Sequence, residues 1–427
     1  ITASGNISSS GTIISNVMTP TSITNVNTTH ITASGNIKVE GNVSASGDIT
    51  GSNKLLIQRS NGQGNREDST SNVATFQNNN AATNASIADE LTKASIAFHE
   101  LGTVTNQPVL NIKNGSDNLS FDINELRDVW YETSFLLDQK QTANGLAKDR
   151  FDNYKNQPLS YKFPEHFTGK LPNINLNNKP KAAIIREKGS NSEREMANAM
   201  YLAGFDVKDV HMTDLISGRE TLEDIQFIGA VGGFSNSDVL GSAKGWAGAF
   251  KYNEKAKTAL KNFFDRPDTL SVGICNGCQL WMELDLINPD HSEHGKMTYN
   301  ESQKHESAFT SVTIEKNNSV MLSSLEGSTL GVWISHGEGK FKLPYEESKY
   351  HIVGKYTYDA YPHNPNGSDF NTAMLCDRTG RHLVTMPHIE RSTFQWNWAH
   401  YPENRTDEVS PWLEGFVNAR RWLEALK

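Results

Sequence analysis

The stretch "TLSVGICNGCQLW", residues 269–281, joins an apolar strand to a tight turn and decides the fold around it. The apolar run ends at Cys275, and Gly273 and Gly277 lie two residues to either side of that cysteine. A G-x-C-x-G pattern between a strand and a helix is typical of a nucleophile elbow, where the turn leaves no room for flanking side chains. The helix that begins there would stabilise a thiolate through its dipole.

A redox pair and a zinc site are the alternatives, because Cys278 follows three residues later. A thioredoxin-like site also begins a helix with its first cysteine, but it does not need both glycines. Zinc would need a second pair of ligands, for which His291 and His294 in "HSEH" are the candidates. The glycines favour a nucleophile. We interpret Cys278 as a helix-packing residue and Cys376 as a core residue.

Strands and helices alternate around this turn. Apolar strands are predicted at 181–187, 206–212, 227–234 and 269–275, and helices at 191–205 and, as one long helix, at 243–266. Strands that are apolar on both faces and alternate with helices predict a mostly parallel sheet with helices on both faces, an α/β fold. Ligands bind such sheets at the carboxyl ends of the strands, which points to the loops "GGFSNSD" and "CNGC".

A cysteine nucleophile needs a base, and the base needs an orienting group. In "HLVTMPHIER", residues 382–391, an apolar strand ends at Pro387 and is followed by His388 and Glu390. This spacing predicts that both side chains lie near one another at the carboxyl edge of the sheet. The sequence therefore predicts a Cys275–His388–Glu390 triad.

Composition excludes several classes of protein. The 427 residues carry a net charge of -9, which disfavours nucleic acid as a partner. No apolar run approaches the roughly 20 residues that cross a bilayer, so no membrane partner is expected. Three cysteines suit a reducing compartment, and we expect a cytoplasmic protein.

Residues 1–54 have a different texture. Gly5, Gly11, Gly35, Gly41 and Gly47 share one six-residue register, and β-branched residues recur on another, from Ile1 to Ile49. This pattern predicts a β-rich repeat that stacks in a solenoid or a fibre, and a homotrimer is one such assembly; a disordered Ser/Thr/Asn-rich leader is the alternative. The segment resembles phage tail-fibre repeats.

The middle of the chain divides into two segments. Residues 55–121 are rich in Asn, Ser and Thr and are interpreted as a linker or a remnant of unknown fold. Residues 122–179 are predicted to begin with an amphipathic helix and to continue as an extended connector with several prolines. Residues 180–427 form the predicted catalytic domain.

Seven ordered motifs carry a resemblance to a known family. Residues from about 120 to 427 resemble the C-terminal class I glutamine amidotransferase region of phosphoribosylformylglycinamidine synthases, whose fold is flavodoxin-like. The matching stretches are "KAAIIREKGSNSEREMANAMYLAGFDVKDVHMTDL", "GGFSNSDVLGSAKGWA", "GICNGCQ", "ISHGEGK", "YPHNPNGS", "PHIER" and "SPWLEGFVNARRWL". The chain departs from many members at Asn236-Ser237, where they have Tyr-Gly, and at Ile389, where they have Pro.

The resemblance implies a role for each site residue. Cys275 would attack the side-chain amide of glutamine, and His388, oriented by Glu390, would move the protons. Backbone N–H groups of Gly233 and Asn276 would form the oxyanion hole. The residues that would bind the amino-acid end of glutamine are Gln279, Ser335 and Gly337. No metal ligand is implied.

The resemblance also implies a partner. In the family, ammonia passes to a synthetase region that uses ATP and magnesium to amidate formylglycinamide ribonucleotide in purine biosynthesis. No Gly-rich phosphate loop is recognisable before residue 120, so no cofactor is expected in this chain and a synthetase would act in trans. The alternative is a structural, fibre-type protein that carries an inactive glutaminase domain as a passenger.

Overall fold

A computed structural model describes residues 88–98, 102–103, 105–174 and 178–426. The chain divides into two compact units, Ile1–Val104 and Thr105–Lys427. In the first unit the described residues include a helical turn at 88–93. The predicted repeat over residues 1–54 and its homotrimer lie outside the described residues.

The second unit begins with a hairpin and two helices. Strands β1 (Val109–Asn114) and β2 (Asp117–Asp122) pair antiparallel around Gly115, in a segment that the sequence had left without a fold. Helix α1 (Ile123–Gln141) follows, capped by Asp122, and α2 is Leu146–Asn153.

Helix α1 forms where the apolar periodicity predicts it. However, its apolar side chains are not buried within the described residues. Val129 and Trp130 are 72% and 78% exposed. The periodicity therefore identified the helix, but this face is not part of the core.

Five adjacent parallel strands form one half of a nine-stranded sheet. Four of them are buried along most of their length, as the sequence predicts. The fifth, Asp206–His211, is a strand as predicted, but it lies at the sheet edge and is mostly not buried, so the expectation that it is apolar on both faces is wrong. The parallel strands are β3 (Lys181–Arg186), β5 (Asp206–His211), β6 (Phe227–Ala230), β8 (Leu270–Ile274) and β15 (His382–Thr385). This half confirms the α/β fold class.

Four antiparallel strands extend the sheet beyond β15. They are β10 (Glu306–Ile314), β11 (Thr329–His336), β13 (His351–Tyr356) and β14 (Thr372–Cys376). Of these, the sequence had indicated only the strand that carries Cys376. The order of the nine strands is β11-β10-β13-β14-β15-β8-β6-β3-β5. Short pairs join β4 (Ser190–Asn191) to β7 (Gly232–Gly233) and β9 (Lys296–Thr298) to β12 (Lys340–Lys342).

The remaining helices pack on the sheet. They are α3 (Glu193–Leu202), α4 (Met212–Ser217), α5 (Lys244–Tyr252), α6 (Glu254–Asp265), α7 (Asn276–Glu283) and α8 (Trp412–Ala425). The single long helix predicted over 243–266 is wrong: it is two helices, because Asn253 leaves the helical conformation and its side chain caps α6 by accepting from Ala256 N–H at 3.0 Å. In the described part of the chain, no helix has the length and apolar character needed to span a bilayer.

Candidate active site

Cys275 lies on a strained turn between β8 and α7. Its φ of 53° and ψ of -104° are rare for a residue with a side chain and cost about 1–3 kcal/mol. A Cβ atom on Gly273 would lie 2.5 Å from the carbonyl oxygen of Gly277, and one on Gly277 would lie 2.1 Å from that of Ala230. The turn thus needs glycine at both flanking positions, which is the geometry that the G-x-C-x-G spacing predicts.

The predicted triad residues lie together and are buried. Cys275, His388 and Glu390 are 4%, 2% and 2% exposed. The His388 Nδ1 atom lies 2.6 Å from Glu390 Oε1. The imidazole also lies beside the Cys275 side chain, because a Cβ on Gly232 would be 3.4 Å from Cys275 Cβ and 3.6 Å from His388 Nε2. The backbone N–H of His388 donates to the Trp333 carbonyl oxygen at 2.8 Å, which fixes the backbone of the base against β11.

The charges of the triad stabilise one another. Burial alone would lower the pKa of His388, but the Glu390 carboxylate and the Cys275 side chain outweigh burial and raise the pKa to about 10. For Glu390, burial acts to raise the pKa, but the His388 imidazolium outweighs it and the pKa is lowered. The site therefore favours an imidazolium between a carboxylate and the sulfur.

The predicted oxyanion-hole residues flank Cys275. Asn276 is the first residue of α7, where a backbone N–H has no acceptor within the helix. Gly233 has a φ of 109°, and a Cβ there would lie 2.6 Å from the backbone nitrogen of Asn191. The Ser235 N–H donates to Asn276 Oδ1 at 3.2 Å, so the glycine loop is tied to the start of α7. Their role in stabilising an oxyanion stays a prediction.

The predicted glutamine-binding residues surround the same site. The Cys275 sulfur lies 3.5 Å from the Ser335 carbonyl oxygen. Gln279 accepts from Asn276 Nδ2 at 2.9 Å and donates to the Glu338 carbonyl oxygen at 2.8 Å. A Cβ on Gly337 would meet nothing within 4 Å. The structure brings Ser335 and Gln279 to the nucleophile, whereas Gly337 makes no contact with Cys275. The contacts of all three residues with glutamine stay a prediction.

Several residues at the site were not predicted from the sequence. Gly232 lies against the triad, since a Cβ there would be 2.7 Å from His388 Cε1. The backbone N–H of Gly232 donates to Ser192 Oγ at 3.3 Å, so this serine holds the glycine loop and its side chain does not cap α3. The double glycine in "GGF" was a signal for this close approach.

Asn300 holds the "SHGEG" loop and gave no signal in the sequence. Its Nδ2 donates to the His336 carbonyl oxygen at 2.7 Å, and its Oδ1 accepts from Gly339 N–H at 3.0 Å. The Asn300 Oδ1 atom also lies 3.1 Å from Nδ1 of His336, whose pKa burial lowers to about 3. A neutral His336 and a fully buried Asn300 thus fix the loop that carries Ser335 and Gly337.

A cavity of about 650 Å³ opens beside two of the triad residues. His388 and Glu390 lie in its wall together with Ser335, Trp333 and Arg391, and Cys275 does not line it. The volume suits a small molecule, and the wall combines charged and hydroxyl groups with aromatic rings. The described residues contain no group of three or more His, Cys, Asp or Glu side chains placed to hold a metal ion.

The model of the CobB/CobQ-like glutamine amidotransferase domain family matches residues 179–423. The chain belongs to this family. The match includes Cys275, His388, Glu390 and the loops around them. It supports the α/β fold class that the sequence and the structure indicate.

Curated relatives are named phosphoribosylformylglycinamidine synthase. The chain is 39% identical over 373 residues to the probable enzyme of Arabidopsis thaliana, covering 79% of this chain and 26% of that protein. It is 40% identical over 338 residues to the enzyme of Homo sapiens, covering 72% and 25%. The chain therefore spans about a quarter of the length of these relatives. The Arabidopsis match also extends upstream of residue 179, because residues 179–427 are less than three fifths of the chain.

Among solved structures, the chain is similar to PurLQS from Thermotoga maritima, with 25% identity and a TM-score of 0.46. The likeness covers 58% of this chain and 100% of that one.

Proposed function

We propose that the chain hydrolyses glutamine to glutamate and ammonia, as the glutaminase half of a phosphoribosylformylglycinamidine synthase. The observation that carries this proposal is a cysteine on a strained turn, beside a buried imidazole that a carboxylate orients. This arrangement suits acyl transfer, because it places a sulfur nucleophile next to a group that can donate a proton.

The first half of the reaction forms a thioester. The Cys275 thiolate attacks the side-chain carbonyl carbon of glutamine, and the C–S bond forms as the oxygen becomes an oxyanion. The N–H groups of Gly233 and Asn276 are the donors we assign to that oxyanion. When the oxyanion collapses the C–N bond breaks, and the His388 imidazolium gives its proton to the departing nitrogen. Ammonia leaves.

The second half releases glutamate. Neutral His388 takes a proton from water, and the resulting hydroxide attacks the thioester carbon. The C–S bond breaks, which returns the thiolate beside an imidazolium. Glu390 touches no substrate atom in this scheme: it holds the Nδ1–H of His388 and stabilises the imidazolium.

Ammonia then needs an acceptor. The family resemblance implies formylglycinamide ribonucleotide as that acceptor, with ATP and magnesium bound to a synthetase, and we propose that a synthetase region receives the ammonia. We assign no residue of this chain to ATP or magnesium. We place the reaction in the cytoplasm, because all three cysteines are free and suit a reducing compartment, although the Arabidopsis relative is named as chloroplastic/mitochondrial.

Glutamate release from glutamine tests the proposal. We expect the purified chain to release glutamate, Cys275→Ala to lose this activity, and Cys278→Ala to keep it, because Cys278 is a buried packing residue of α7 to which the scheme gives no chemical role. Activity that survives Cys275→Ala would contradict the proposal. Loss in both variants would point to a folding defect, which circular dichroism of the two variants would show.

A further inference from the structure

A second cavity, of about 660 Å³, opens at the other end of the parallel strands. Its wall includes His382, the first residue of β15, which pairs with Ser271 near the start of β8. Cys275 and His388 follow the opposite, carboxyl ends of the same two strands. We call this space the distal cavity. Strands β8 and β15 separate the distal cavity from the triad along their length.

Apolar side chains make up the floor of the distal cavity. Leu260 and Phe264 come from α6, and Leu286 and Ile287 from the loop after α7. The Phe264 ring stacks on the His382 imidazole, with centroids 4.3 Å apart and planes 27° apart. A floor of this kind suits a flat ring more than a flexible chain, because aromatic groups gain from stacking and edge contacts.

Two imidazoles in the wall have unused hydrogen-bonding capacity. His382 is 3% exposed, and its Nδ1 lies 3.0 Å from Ser271 Oγ. Among the described residues, its Nε2 and the Nδ1 of His291 have no hydrogen-bond partner. Buried polar atoms in native proteins are nearly always satisfied, so two orphans in one wall indicate a missing polar partner.

The rim of the distal cavity is positively charged in a chain whose net charge is -9. Lys257 and Lys349 are exposed and form no ion pair with any described residue. Arg381 donates to the carbonyl oxygens of Arg266 and Thr269, at 2.7 and 3.0 Å, and not to a carboxylate. These three cations have no carboxylate partner, whereas Lys251, Lys261 and Arg378 each pair with one. Of the three carboxylates in the wall, Asp265 and Asp290 belong to those pairs. Asp377 accepts instead from Thr379 and from the backbone N–H of His382, so the wall keeps a positive balance.

We propose that the distal cavity binds a planar aromatic anion of the size of a mononucleotide. The ring lies on the apolar floor beside Phe264 and His382, and the anionic group lies between Lys257, Lys349 and Arg381. The volume is in the range of small-molecule sites, and an apolar floor with a few convergent charges is their usual composition. Nothing in the proposed glutamine chemistry uses this cavity, so the two proposals stand separately.

Isothermal titration calorimetry with AMP tests the site, with adenosine and ribose 5-phosphate as partial probes. We expect AMP to bind, and each partial probe to bind at least about tenfold more weakly, since each lacks one half of the recognition. In Lys257→Glu/Lys349→Glu we expect at least a tenfold loss of AMP affinity, because two cations become anions. Both residues are exposed, so the fold should be unaffected.

Two control variants make the test specific. Lys255→Glu reverses one charge on α6, as Lys257→Glu does. However, Lys255 contacts the Ser217 carbonyl oxygen outside the cavity, so this variant should leave AMP affinity unchanged. Cys275→Ala should also leave it unchanged, which separates this site from the triad. No AMP binding up to millimolar concentration, equal affinity in the double variant, or ribose 5-phosphate binding as tightly as AMP would each overturn the proposal.

Discussion

Glu390→Gln removes the charge that keeps His388 protonated and leaves the size of the side chain unchanged. The rise of the His388 pKa from 6.5 to about 10 corresponds to roughly 5 kcal/mol in favour of the imidazolium. Burial opposes this rise, and the Glu390 carboxylate is the first of the interactions that overcome it. We therefore expect the pKa of His388 to fall well below 10 in the variant.

Loss of the carboxylate should change how stability depends on pH. Because the folded pKa of His388 lies above its unfolded value, its contribution is fully present below pH 6.5 and is lost as the pH rises to about 10. Between pH 6.5 and 8 the free energy of unfolding of the wild type should fall by about 2 kcal/mol more than that of Glu390→Gln. Urea unfolding of both proteins at several pH values measures this difference.

Activity should fall as well. A neutral imidazole no longer provides a charged proton donor beside the sulfur, so we expect kcat/KM for glutamate release to drop by about 10²- to 10⁴-fold. Glu223→Gln, an exposed glutamate remote from the triad, is the matched control and should behave as the wild type. If Glu390→Gln shows the wild-type activity and the wild-type pH dependence of stability, the argument for an imidazolium at the site is refuted.

Three further substitutions test the backbone around the site. Gly277→Ala would place a methyl group 2.1 Å from the Ala230 carbonyl oxygen. It should therefore lower the free energy of unfolding in urea by about 3 kcal/mol and abolish glutamate release. Retained activity would contradict the assignment of this turn as a nucleophile elbow. Gly248→Ala in α5, where the methyl group would come no nearer than 4.0 Å to Tyr252, should instead raise the free energy of unfolding by up to about 1 kcal/mol. Ser237→Gly should raise it by about 1 kcal/mol, because Ser237 has a φ of 56°; a decrease in the melting temperature would contradict that interpretation.

The parallel half of the fold and the triad could be predicted because their signals are local. The glycines around Cys275 and the apolar runs of β3, β6 and β8 are constraints within a few residues of one another. The rule that ligands bind at the carboxyl ends of parallel strands then relates Cys275 to His388 across more than 100 residues.

Other features depend on distant contacts that no short pattern encodes. Strand β10 owes its place to register with β11 and β13, and Asn300 acts through the backbone of a loop more than 30 residues away. Two features that were not predicted, the β1–β2 hairpin and the break between α5 and α6, do have local signals. "NGSD" between alternating apolar residues predicts the β1–β2 hairpin, and Asn253 before Glu254 is typical of a helix N-cap.

Covalent labelling of Cys275 tests the central claim most directly, because it does not require turnover. The chain would be incubated with a diazo ketone analogue of glutamine and digested. Cys275 and Cys278 fall in one peptide and Cys376 in another, so fragmentation of the labelled peptide by tandem mass spectrometry would assign the adduct to one of the three cysteines. We predict one adduct, on Cys275, that excess glutamine prevents and that Glu390→Gln forms at least about 100-fold more slowly. Labelling of Cys278 or Cys376 at a similar rate, or no protection by glutamine, would contradict the assignment of Cys275 as the nucleophile of a glutamine site.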